Sequence, residues 1–358
     1  MSDKIKNIFI SVVFLLFLFM FLLINLLSGD KEISISERRK LQQFPKITMN
    51  NLFNGTFFKD LDSYVADQFV ARDIFRKIKI KLDLIMKKNY NNLYNYDDFI
   101  IKQEFPLNKE SVINLANRMS LLKSNYFRDN NVYFTIVPDK NYFVDDGNLR
   151  IDYNELENVM KEKLVDFNYI DIFDLLELED YYKTDSHWKQ ENIVPVAKRI
   201  ANRMNSDINE NYTVKEVTTF KGVYSGQMSI NNKIDTIKIL TNDIIDTSVV
   251  YNYENGKKSA VYDLNKLSSF DKYDIYLSGA VPIIDIITNN SEGKQLVVFR
   301  DSYGSCLIPL LLEKYSKITV IDTRYVSSKI LGNYVDFENK DILFIYGVLT
   351  INNSYSIK

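Results

Sequence analysis

The feature that most constrains this chain is an apolar run near its N-terminus. Residues Ile8–Leu27 have the sequence IFISVVFLLFLFMFLLINLL, in which Ser11 and Asn25 are the polar interruptions. A run of about 20 apolar residues can cross a hydrocarbon core of about 30 Å as a helix. The sequence therefore predicts a transmembrane helix, and the rest of the chain is expected to be attached to a membrane by it.

The residues that flank this run predict its orientation. Lys4 and Lys6 precede it, and positive flanks favour the cytoplasmic side. The run is followed by Ser28-Gly29-Asp30, which offers no cleavage site of the A-x-A kind. We expect a single-pass anchor in the cell membrane with the working domain outside the cytoplasm. A cleaved signal peptide is the alternative, and it would place that domain on the same side.

Composition excludes several kinds of site. The chain has one His and one Cys, so it can form neither an internal disulfide nor a Cys/His zinc site. With 45 Lys+Arg against 47 Asp+Glu, its formal net charge of −2 gives no reason to expect a nucleic acid partner. We predict no metal site and no cofactor. His187 is the one candidate for histidine chemistry, and Cys306 is expected to be a buried packing residue.

Helical and strand patterns alternate beyond the anchor. Helical spacing of apolar residues covers 53–84, 108–123, 154–165, 189–204 and 306–315. Continuous β-type runs cover 131–137, 295–299, 317–321 and 342–346. Such runs are typical of buried parallel strands. The alternation predicts an α/β fold with a mostly parallel sheet flanked by helices.

Three parts are predicted from these patterns. Residues 1–29 form the cytoplasmic tip and anchor, 30–125 a juxtamembrane and helical region, and 126–358 the catalytic domain. Between about 205 and 290 short Thr/Val/Ile/Tyr runs alternate with Gly, Asn and Asp turns. We interpret this segment as a β-rich insertion that forms one wall of a cleft. Glycan contacts are expected from it or from the core domain.

Ser302 is the first candidate for chemistry. It follows a predicted strand and precedes a predicted helix, so its hydroxyl should project from the carboxyl edge of the sheet, where α/β proteins bind ligands. Unpaired N–H groups at the start of the helix can stabilise an oxyanion. Ordinary N-capping by Asp301 and Ser302 is the alternative explanation.

His187 is the second candidate. Asp185 lies two residues before it and can accept a hydrogen bond from one ring nitrogen, which leaves the other free to take a proton from a serine. A structural histidine is the alternative explanation. Together, Asp185, His187 and Ser302 have the residue types of a nucleophile, a base and an orienting carboxylate.

Two segments carry a family resemblance. YYKTDSHW (Tyr181–Trp188) resembles the Y-Y-x-T-D-x-H-W signature of the DHHW family and its relatives, the alginate O-acetylation proteins. Asp301-Ser302-Tyr303-Gly304, with Pro309 and Ile321–Tyr325, resembles the nucleophile segment of the same family. These relatives are membrane-anchored or periplasmic proteins with an SGNH-hydrolase-like fold, and the resemblance implies that fold here.

Two upstream motifs extend the resemblance. ERRKLQQFP (Glu37–Pro45) is similar to the E-x-R-x-L-x-x-F-P motif that follows the anchor in the family. Asp67-Gln68-Phe69 with Arg72 is similar to its D-x-F-x-x-R motif. Two positions depart from the family pattern. Ser278-Gly279-Ala280 stands where a Gly-Asn pair is usual, and Ser186 replaces a second His and is expected to face away from Asp185 and His187.

The resemblance implies roles for individual residues. Ser302 would be the acyl-accepting nucleophile, His187 the general base and acid, and Asp185 its orienting carboxylate. Backbone N–H groups of Ser302 and Tyr303 are candidates for holding the oxyanion.

Three further residues are candidates for substrate contact: Arg324, Lys140 and Trp188. For Arg324 we favour an ion pair with Asp322 over a substrate contact, and a solvated side chain is the alternative for Lys140.

The expected function is O-acetyl transfer through an acyl-serine to a cell-surface or secreted polysaccharide. By resemblance, a polytopic membrane-bound O-acyltransferase would supply the acetyl groups. A surface carbohydrate esterase with the same three residues is one alternative. A non-catalytic polysaccharide-binding or assembly protein that has kept the fold is the other.

Overall fold

A computed structural model describes residues 3–34, 36–37, 39–86, 89, 91–145, 147–209, 211–228 and 233–358. Arg38 of the post-anchor motif, and Glu210 and residues 229–232 of the β-rich segment, lie outside the described residues. The chain divides into two compact units. The first comprises residues 1–91 with 226–231, and the second comprises 92–225 with 232–358.

The first unit is mainly helical. Its elements are α1 (Asp3–Leu27), β1 (Ile33–Ser34), β2 (Arg39–Lys40), α2 (Met49–Phe53), α3 (Thr56–Gln68) and α4 (Arg72–Ile85). Helix α1 is long and apolar enough to cross a membrane. The single helical stretch predicted for residues 53–84 is wrong, because two breaks divide it. Gly55 and Ala71 have φ angles of 77° and 61°, in the left-handed region that a continuous α-helix does not use.

The second unit begins with a β-hairpin and ends with a short helix. Its helices are α5 (Lys109–Tyr126), α6 (Tyr153–Lys163), α7 (Val194–Arg203), α8 (Val223–Met228, continuing into the first unit), α9 (Asp243–Thr247), α10 (Gly304–Leu307) and α11 (Val348–Asn352). Its strands are β3 (Leu93–Tyr96), β4 (Phe99–Lys102), β5 (Val132–Val137), β6 (Asn168–Tyr169), β7 (Thr213–Phe220), β8 (Asp235–Thr241), β9 (Val249–Asn252), β10 (Lys258–Ala260), β11 (Ile283–Ile287), β12 (Lys294–Arg300), β13 (Tyr315–Ile321) and β14 (Asp341–Gly347).

Eight of these strands form one sheet in the order β10-β9-β11-β13-β12-β14-β5-β6. The pairs from β13 to β6 are parallel, and β11, β9 and β10 add to the β13 edge as antiparallel strands. The segment 205–290 is β-rich as predicted. Three of its strands extend the large sheet, while β7 and β8 pair as a separate two-stranded sheet.

The sheet has an apolar core on each face. Leu296 and Val298 of β12 belong to one buried cluster, and Val297 and Phe299 belong to another. Because successive strand residues point to opposite faces, this division requires that both faces be covered. Each such side chain contributes roughly 1.5–3 kcal/mol on burial. This arrangement confirms the predicted mostly parallel sheet flanked by helices.

The carboxyl ends of the parallel strands bring polar residues to one edge. Strand β5 is followed by Asp139 and Lys140, β12 by Asp301 and Ser302, and β13 by Asp322. In an open parallel sheet this edge is where ligands bind.

Candidate active site

The segment Tyr181–Trp188 is a tight turn closed by its own backbone. Tyr181 and Trp188 form an isolated antiparallel bridge, and the Tyr182 amide donates to the His187 carbonyl at 3.0 Å. Asp185 and His187 both lie within this turn. Ser186 does not face away as expected, because its hydroxyl lies 3.4 Å from Asp185 Oδ1 in a bend and not in a strand.

Asp185, His187 and Ser302 form one hydrogen-bonded chain. His187 Nδ1 lies 2.6 Å from Asp185 Oδ1, and His187 Nε2 lies 2.7 Å from Ser302 Oγ. The Asp185 side chain is fully buried, His187 is 8% exposed and Ser302 is half-buried. Ser302 and His187 are 115 residues apart in sequence. With Nδ1 protonated toward Asp185, Nε2 has its lone pair directed at the serine hydroxyl, which is the tautomer that a general base needs.

Backbone amides complete the surroundings of Asp185. Its Oδ2 accepts from the Val223 amide at 2.8 Å, and its Oδ1 also accepts from the His187 amide at 3.2 Å. Gly222 makes this approach possible. A Cβ at residue 222 would lie 2.4 Å from both the Asp185 Cβ and the Thr184 carbonyl oxygen. The absence of a side chain at Gly222 therefore lets the first residue of α8, Val223, reach the Asp185 carboxylate.

Asp235 holds the turn from the other side, and sequence reasoning missed it. One carboxylate oxygen accepts from the Lys183 amide at 2.8 Å, and the other accepts from the amide and the hydroxyl of Thr184, at 2.7 and 2.5 Å. The Thr184 hydroxyl in turn accepts from the Gly222 amide at 2.8 Å. No sequence motif links Asp235 to a turn about 50 residues upstream.

The nucleophile turn is organised by Asp301. Its carboxylate is buried and accepts from the Tyr303 amide at 3.0 Å, the Gly347 amide at 2.7 Å and the Thr350 hydroxyl at 2.7 Å. The Tyr303 amide, one of the two oxyanion candidates, is therefore bonded to a carboxylate. The Ser302 amide has no hydrogen-bond partner among the described residues.

Aromatic rings fix the plane of the imidazole. The Tyr273 ring stacks on His187 with a centroid distance of 3.9 Å and an interplanar angle of 7°. Tyr303 packs edge-on at 5.4 Å, and its hydroxyl donates to the Ser186 carbonyl at 2.9 Å. Behind the stack, the Tyr273 hydroxyl lies 3.0 Å from Cys306 Sγ. Burial raises the pKa of the Cys306 thiol to about 12, so this residue is a buried packing residue as predicted.

Arg324 forms the ion pair that the sequence analysis favoured. Its Nε and a terminal nitrogen donate to the two oxygens of Asp322 at 2.9 and 2.7 Å. The buried Arg300 also contacts Asp322, at 3.5 Å, and donates to the Gly279 carbonyl at 2.8 Å. The hydrogen bond from Arg300 to Gly279 holds the segment Ser278-Gly279-Ala280, which departs from the family pattern. Leu277, just before this segment, and its residues Ser278 and Gly279 have positive φ angles, of 54°, 61° and 78°.

Lys140 and Trp188 are directed into the protein and do not line a cleft, which corrects that expectation. Lys140 is 2% exposed, and its ammonium donates to the Tyr182 carbonyl at 3.0 Å. Burial lowers the pKa of Lys140 to about 7. Trp188 is fully buried, and its Nε1 donates to the Tyr303 carbonyl at 3.1 Å. Both side chains instead support the two turns that carry His187 and Ser302.

Asp139, beside Lys140, is a second buried carboxyl group near these turns. Its Oδ1 accepts from the Tyr153 hydroxyl at 2.6 Å and from the Tyr142 amide at 3.3 Å. Its Oδ2 has no hydrogen-bond partner among the described residues. Burial raises the pKa of Asp139 to about 6, although the hydrogen bond from Tyr153 opposes that rise.

Comparison with known proteins gives matches in structure. No family model matches the chain, and no curated protein matches its sequence. A DHHW family protein from Eubacterium siraeum is similar with a TM-score of 0.60 at 21% identity, over 75% of this chain and 95% of that one. Bacillus cereus PatB1 with a sulfonyl adduct is similar with a TM-score of 0.54 at 20% identity, over 72% and 95%. A second PatB1 structure has a TM-score of 0.53 at 18% identity, over 72% and 96%. The chain thus shares its fold with the DHHW family protein and with PatB1.

Proposed function

We propose that this chain is a membrane-anchored O-acetyltransferase that acts outside the cytoplasm on a cell-surface or secreted polysaccharide. The observation that carries the proposal is the continuous hydrogen-bonded chain from the Asp185 carboxylate through His187 to the Ser302 hydroxyl, with contacts of 2.6 and 2.7 Å. These distances suit proton transfer between a serine nucleophile and its base.

In the first half-reaction Ser302 accepts the acetyl group. His187 Nε2 removes the hydroxyl proton as Oγ attacks the acetyl carbonyl of the donor, and a tetrahedral oxyanion forms. When that intermediate collapses, the bond from the carbonyl carbon to the leaving oxygen breaks, and the histidinium returns the proton to that oxygen. Asp185 holds the histidinium in place and stabilises its charge.

In the second half-reaction a sugar hydroxyl replaces the donor. His187 takes its proton, the sugar oxygen attacks the acyl-serine, and Ser302 leaves with the proton restored. Transfer instead of hydrolysis requires that the sugar hydroxyl be oriented and that water be excluded from the acyl-serine. The low exposure of His187 favours such exclusion.

The Ser302 amide is our candidate for the oxyanion contact. It has no hydrogen-bond partner among the described residues, whereas the Tyr303 amide already donates to Asp301. A free, preorganised N–H group directed at the developing charge lowers the barrier of acyl transfer.

The anchor is the second part of the proposal. Helix α1 is apolar from Ile8 to Leu27 apart from Ser11 and Asn25, and Lys4 and Lys6 at its start favour a cytoplasmic N-terminus. Tethering would keep the serine near a polytopic membrane-bound O-acyltransferase, our candidate for the acetyl supplier. The relation to a PatB1 structure that carries a sulfonyl adduct is one of fold, and it suggests a direct chemical test.

A sulfonyl fluoride tests the nucleophile. Attack by Ser302 Oγ on sulfur would expel fluoride and leave a sulfonylated serine, so intact mass and peptide mapping should find the adduct at residue 302. Ser302→Ala and His187→Ala should prevent labelling. Ser305→Ala, in the helix α10 that follows this turn, is the matched control that should label normally. Labelling of Ser302→Ala at the wild-type rate would contradict the proposal.

A product assay separates transfer from its alternatives. The full chain is incubated with an acetyl donor and a polysaccharide, and both acetylated glycan and free acetate are measured. Acetylated glycan that depends on Ser302 supports transfer. Acetate release alone would favour the carbohydrate esterase. Glycan binding that is unchanged in Ser302→Ala, with neither product formed, would favour the non-catalytic protein.

A further inference from the structure

The outer end of α1 is packed against the junction between α3 and α4. Asn25, one of the two polar residues in the apolar run, accepts a hydrogen bond from the Val70 amide at 2.8 Å. The Phe21 ring stacks on Phe69 at 5.9 Å with an interplanar angle of 4°, and Phe69 packs on Phe75 at 5.8 Å. The polar interruption in the anchor therefore serves to attach the following helices to it.

The post-anchor motif, Glu37–Pro45, and the second motif, Asp67–Arg72, contact each other beside this packing. We call their contact the joint between the two motifs. Arg39 of the post-anchor motif donates to both oxygens of Asp67 in the second motif, and this hydrogen bonding lowers the pKa of Asp67 to about 2. Arg72 of the second motif pairs with Glu37 of the first.

Gln68 adds contacts to the backbone at the anchor exit. Its side chain accepts from the Lys31 amide at 2.9 Å and donates to the carbonyls of Lys31 and Gln42 at 2.9 and 3.0 Å. The motifs that the proposed chemistry does not use thus fix α3 and α4 at the end of the anchor.

Helix α4 uses one face within its own unit and leaves the opposite face uncovered. Ile80 is fully buried, and Arg76 on the same side donates to Ser36 Oγ at 2.9 Å and to the Gln227 carbonyl at 3.2 Å. On the other side, five large apolar side chains are each at least half exposed in the described part of the chain: Ile74, Phe75, Ile78, Leu82 and Ile85. We call this set the α4 apolar face.

Lysines border the α4 apolar face. At 100° per residue, Lys77 and Lys81 lie along one side of it and Lys79 along the other. A helix with an apolar face bordered by Lys or Arg has the composition of helices that lie in the membrane interface, where the lysines reach anionic headgroups.

The depth of Phe21 relates this face to the bilayer. Phe21 precedes the end of α1 at Leu27 by six residues, which at 1.5 Å per residue is about 9 Å along the helix. If α1 spans the membrane, Phe69 contacts α1 at a depth that acyl chains occupy, and Phe75 packs on Phe69. Phe75 is part of the α4 apolar face, so that face continues the lipid-contacting surface of the anchor.

We propose that α4 lies along the outer leaflet with the α4 apolar face in the lipid, and that the joint between the two motifs sets this position. The occupant of the face is the bilayer itself. This inference rests on the proposed anchoring by α1.

Depth measurements in a bilayer test the proposal on the full chain. The protein is reconstituted in nanodiscs of phosphatidylcholine and phosphatidylglycerol, and spin labels are placed one at a time on Ile74→Cys, Ile78→Cys and Leu82→Cys. Asp73→Cys and Asp83→Cys are the matched controls on the polar side of the same helix. The wild-type chain, whose Cys306 is buried, measures background labelling. Accessibility to oxygen and to a water-soluble nickel complex is then read by electron paramagnetic resonance.

We expect the three apolar-face labels to be accessible to oxygen and protected from nickel, and the two controls to show the reverse. Water accessibility at all five positions would overturn the proposal, as would dipolar broadening that shows the face packed against a second copy. A label on Phe14→Cys, in the middle of α1, separates this inference from the anchor. If that label is deep and the α4 labels are in water, the α4 proposal alone fails. If the Phe14 label is also in water, the anchor itself fails.

Discussion

Two buried aspartates of the second unit, Asp185 and Asp139, are held in opposite ways. Asp185 is fully buried and accepts three N–H bonds, from the His187 ring, the His187 amide and the Val223 amide. Asp139 is 4% exposed, and its Oδ2 has no partner among the described residues. N–H donors stabilise a carboxylate, whereas burial without enough donors favours the neutral acid. The Asp185 carboxyl group thus has N–H donors on both oxygens beside the imidazole, whereas one oxygen of Asp139 has none among the described residues.

The largest expected effect comes from replacing the Asp185 carboxyl group. Asp185→Asn retains the size of the side chain but replaces an acceptor of the Nδ1 proton by a group that can donate, so His187 should lose the productive tautomer. We expect the acetyl-transfer rate to fall by roughly 10³–10⁴-fold, with the fold retained. Initial rates and circular dichroism measure both quantities. A loss of less than tenfold would mean that Asp185 does not orient the base.

Asparagine at position 139 should instead raise the stability of the protein and leave the acetyl-transfer rate nearly unchanged. The pKa of Asp139 is raised from 3.8 to about 6, so between these values the folded protein binds a proton that the unfolded chain has released. The contribution of Asp139 to the unfolding free energy of the wild-type protein therefore falls as the pH rises from about 4 to about 6. Above about pH 6 this contribution is constant. Asp139→Asn removes this loss.

We expect Asp139→Asn to gain roughly 1–3 kcal/mol in unfolding free energy at pH 7 and nothing at pH 3.5. Acetyl transfer should change by less than about threefold, because Asp139 touches none of the reacting groups. Chemical denaturation at the two pH values measures the difference. An equal change in unfolding free energy at the two pH values would show that Asp139 does not titrate between them.

A substitution that crowds Asp185, Gly222→Ala, should have a smaller effect on the acetyl-transfer rate. Gly222→Ala places a methyl group 2.4 Å from the Asp185 Cβ, so the Val223 amide must move away from the carboxylate. Overpacking of this kind costs roughly 1–3 kcal/mol. We also expect a slower rate, because Asp185 loses a donor. Gly29→Ala is the control, since no atom lies within 4 Å of its Cβ position. Full activity in Gly222→Ala would exclude a role for the Val223 contact.

The smallest effect should come from removing the hydroxyl of Tyr273, whose ring stacks on His187. Tyr273→Phe keeps the ring and removes the hydroxyl that contacts Cys306. We expect a rate within about twofold of wild type and a stability loss of about 0.5–1.5 kcal/mol, the usual worth of one hydrogen bond. Tyr273→Leu, which removes the stack as well, should reduce the rate further. Equal rates in the two variants would mean that the stack does not position the imidazole.

The sequence predicted the parts of the molecule that depend on local patterns. Continuous apolar runs identified β5, β12, β13 and β14, because strands buried on both faces cannot alternate with polar residues. The proximity of Asp185 and His187 in sequence indicated a candidate pair. The contact with Ser302 was expected from family resemblance, and the structure brings the three side chains within hydrogen-bonding distance.

Long-range contacts could not be predicted in the same way. Asp235 and Gly222 support the turn from other segments, and neither lies in a motif that indicates its role. The burial of Lys140 depends on the Tyr182 carbonyl, a backbone acceptor with no side-chain signature. The break at Ala71 likewise depends on tertiary packing, since alanine itself favours a helix.

The single imidazole has a spectroscopic consequence. Because the chain contains one histidine, a sample labelled with ¹⁵N-histidine and cleaved from any affinity tag gives ring signals from His187 alone. The Nδ1 and Nε2 resonances would report which nitrogen carries the proton, without any assignment experiment. The same two signals, followed during reaction with a donor, would record the proton moving onto the ring and off it again.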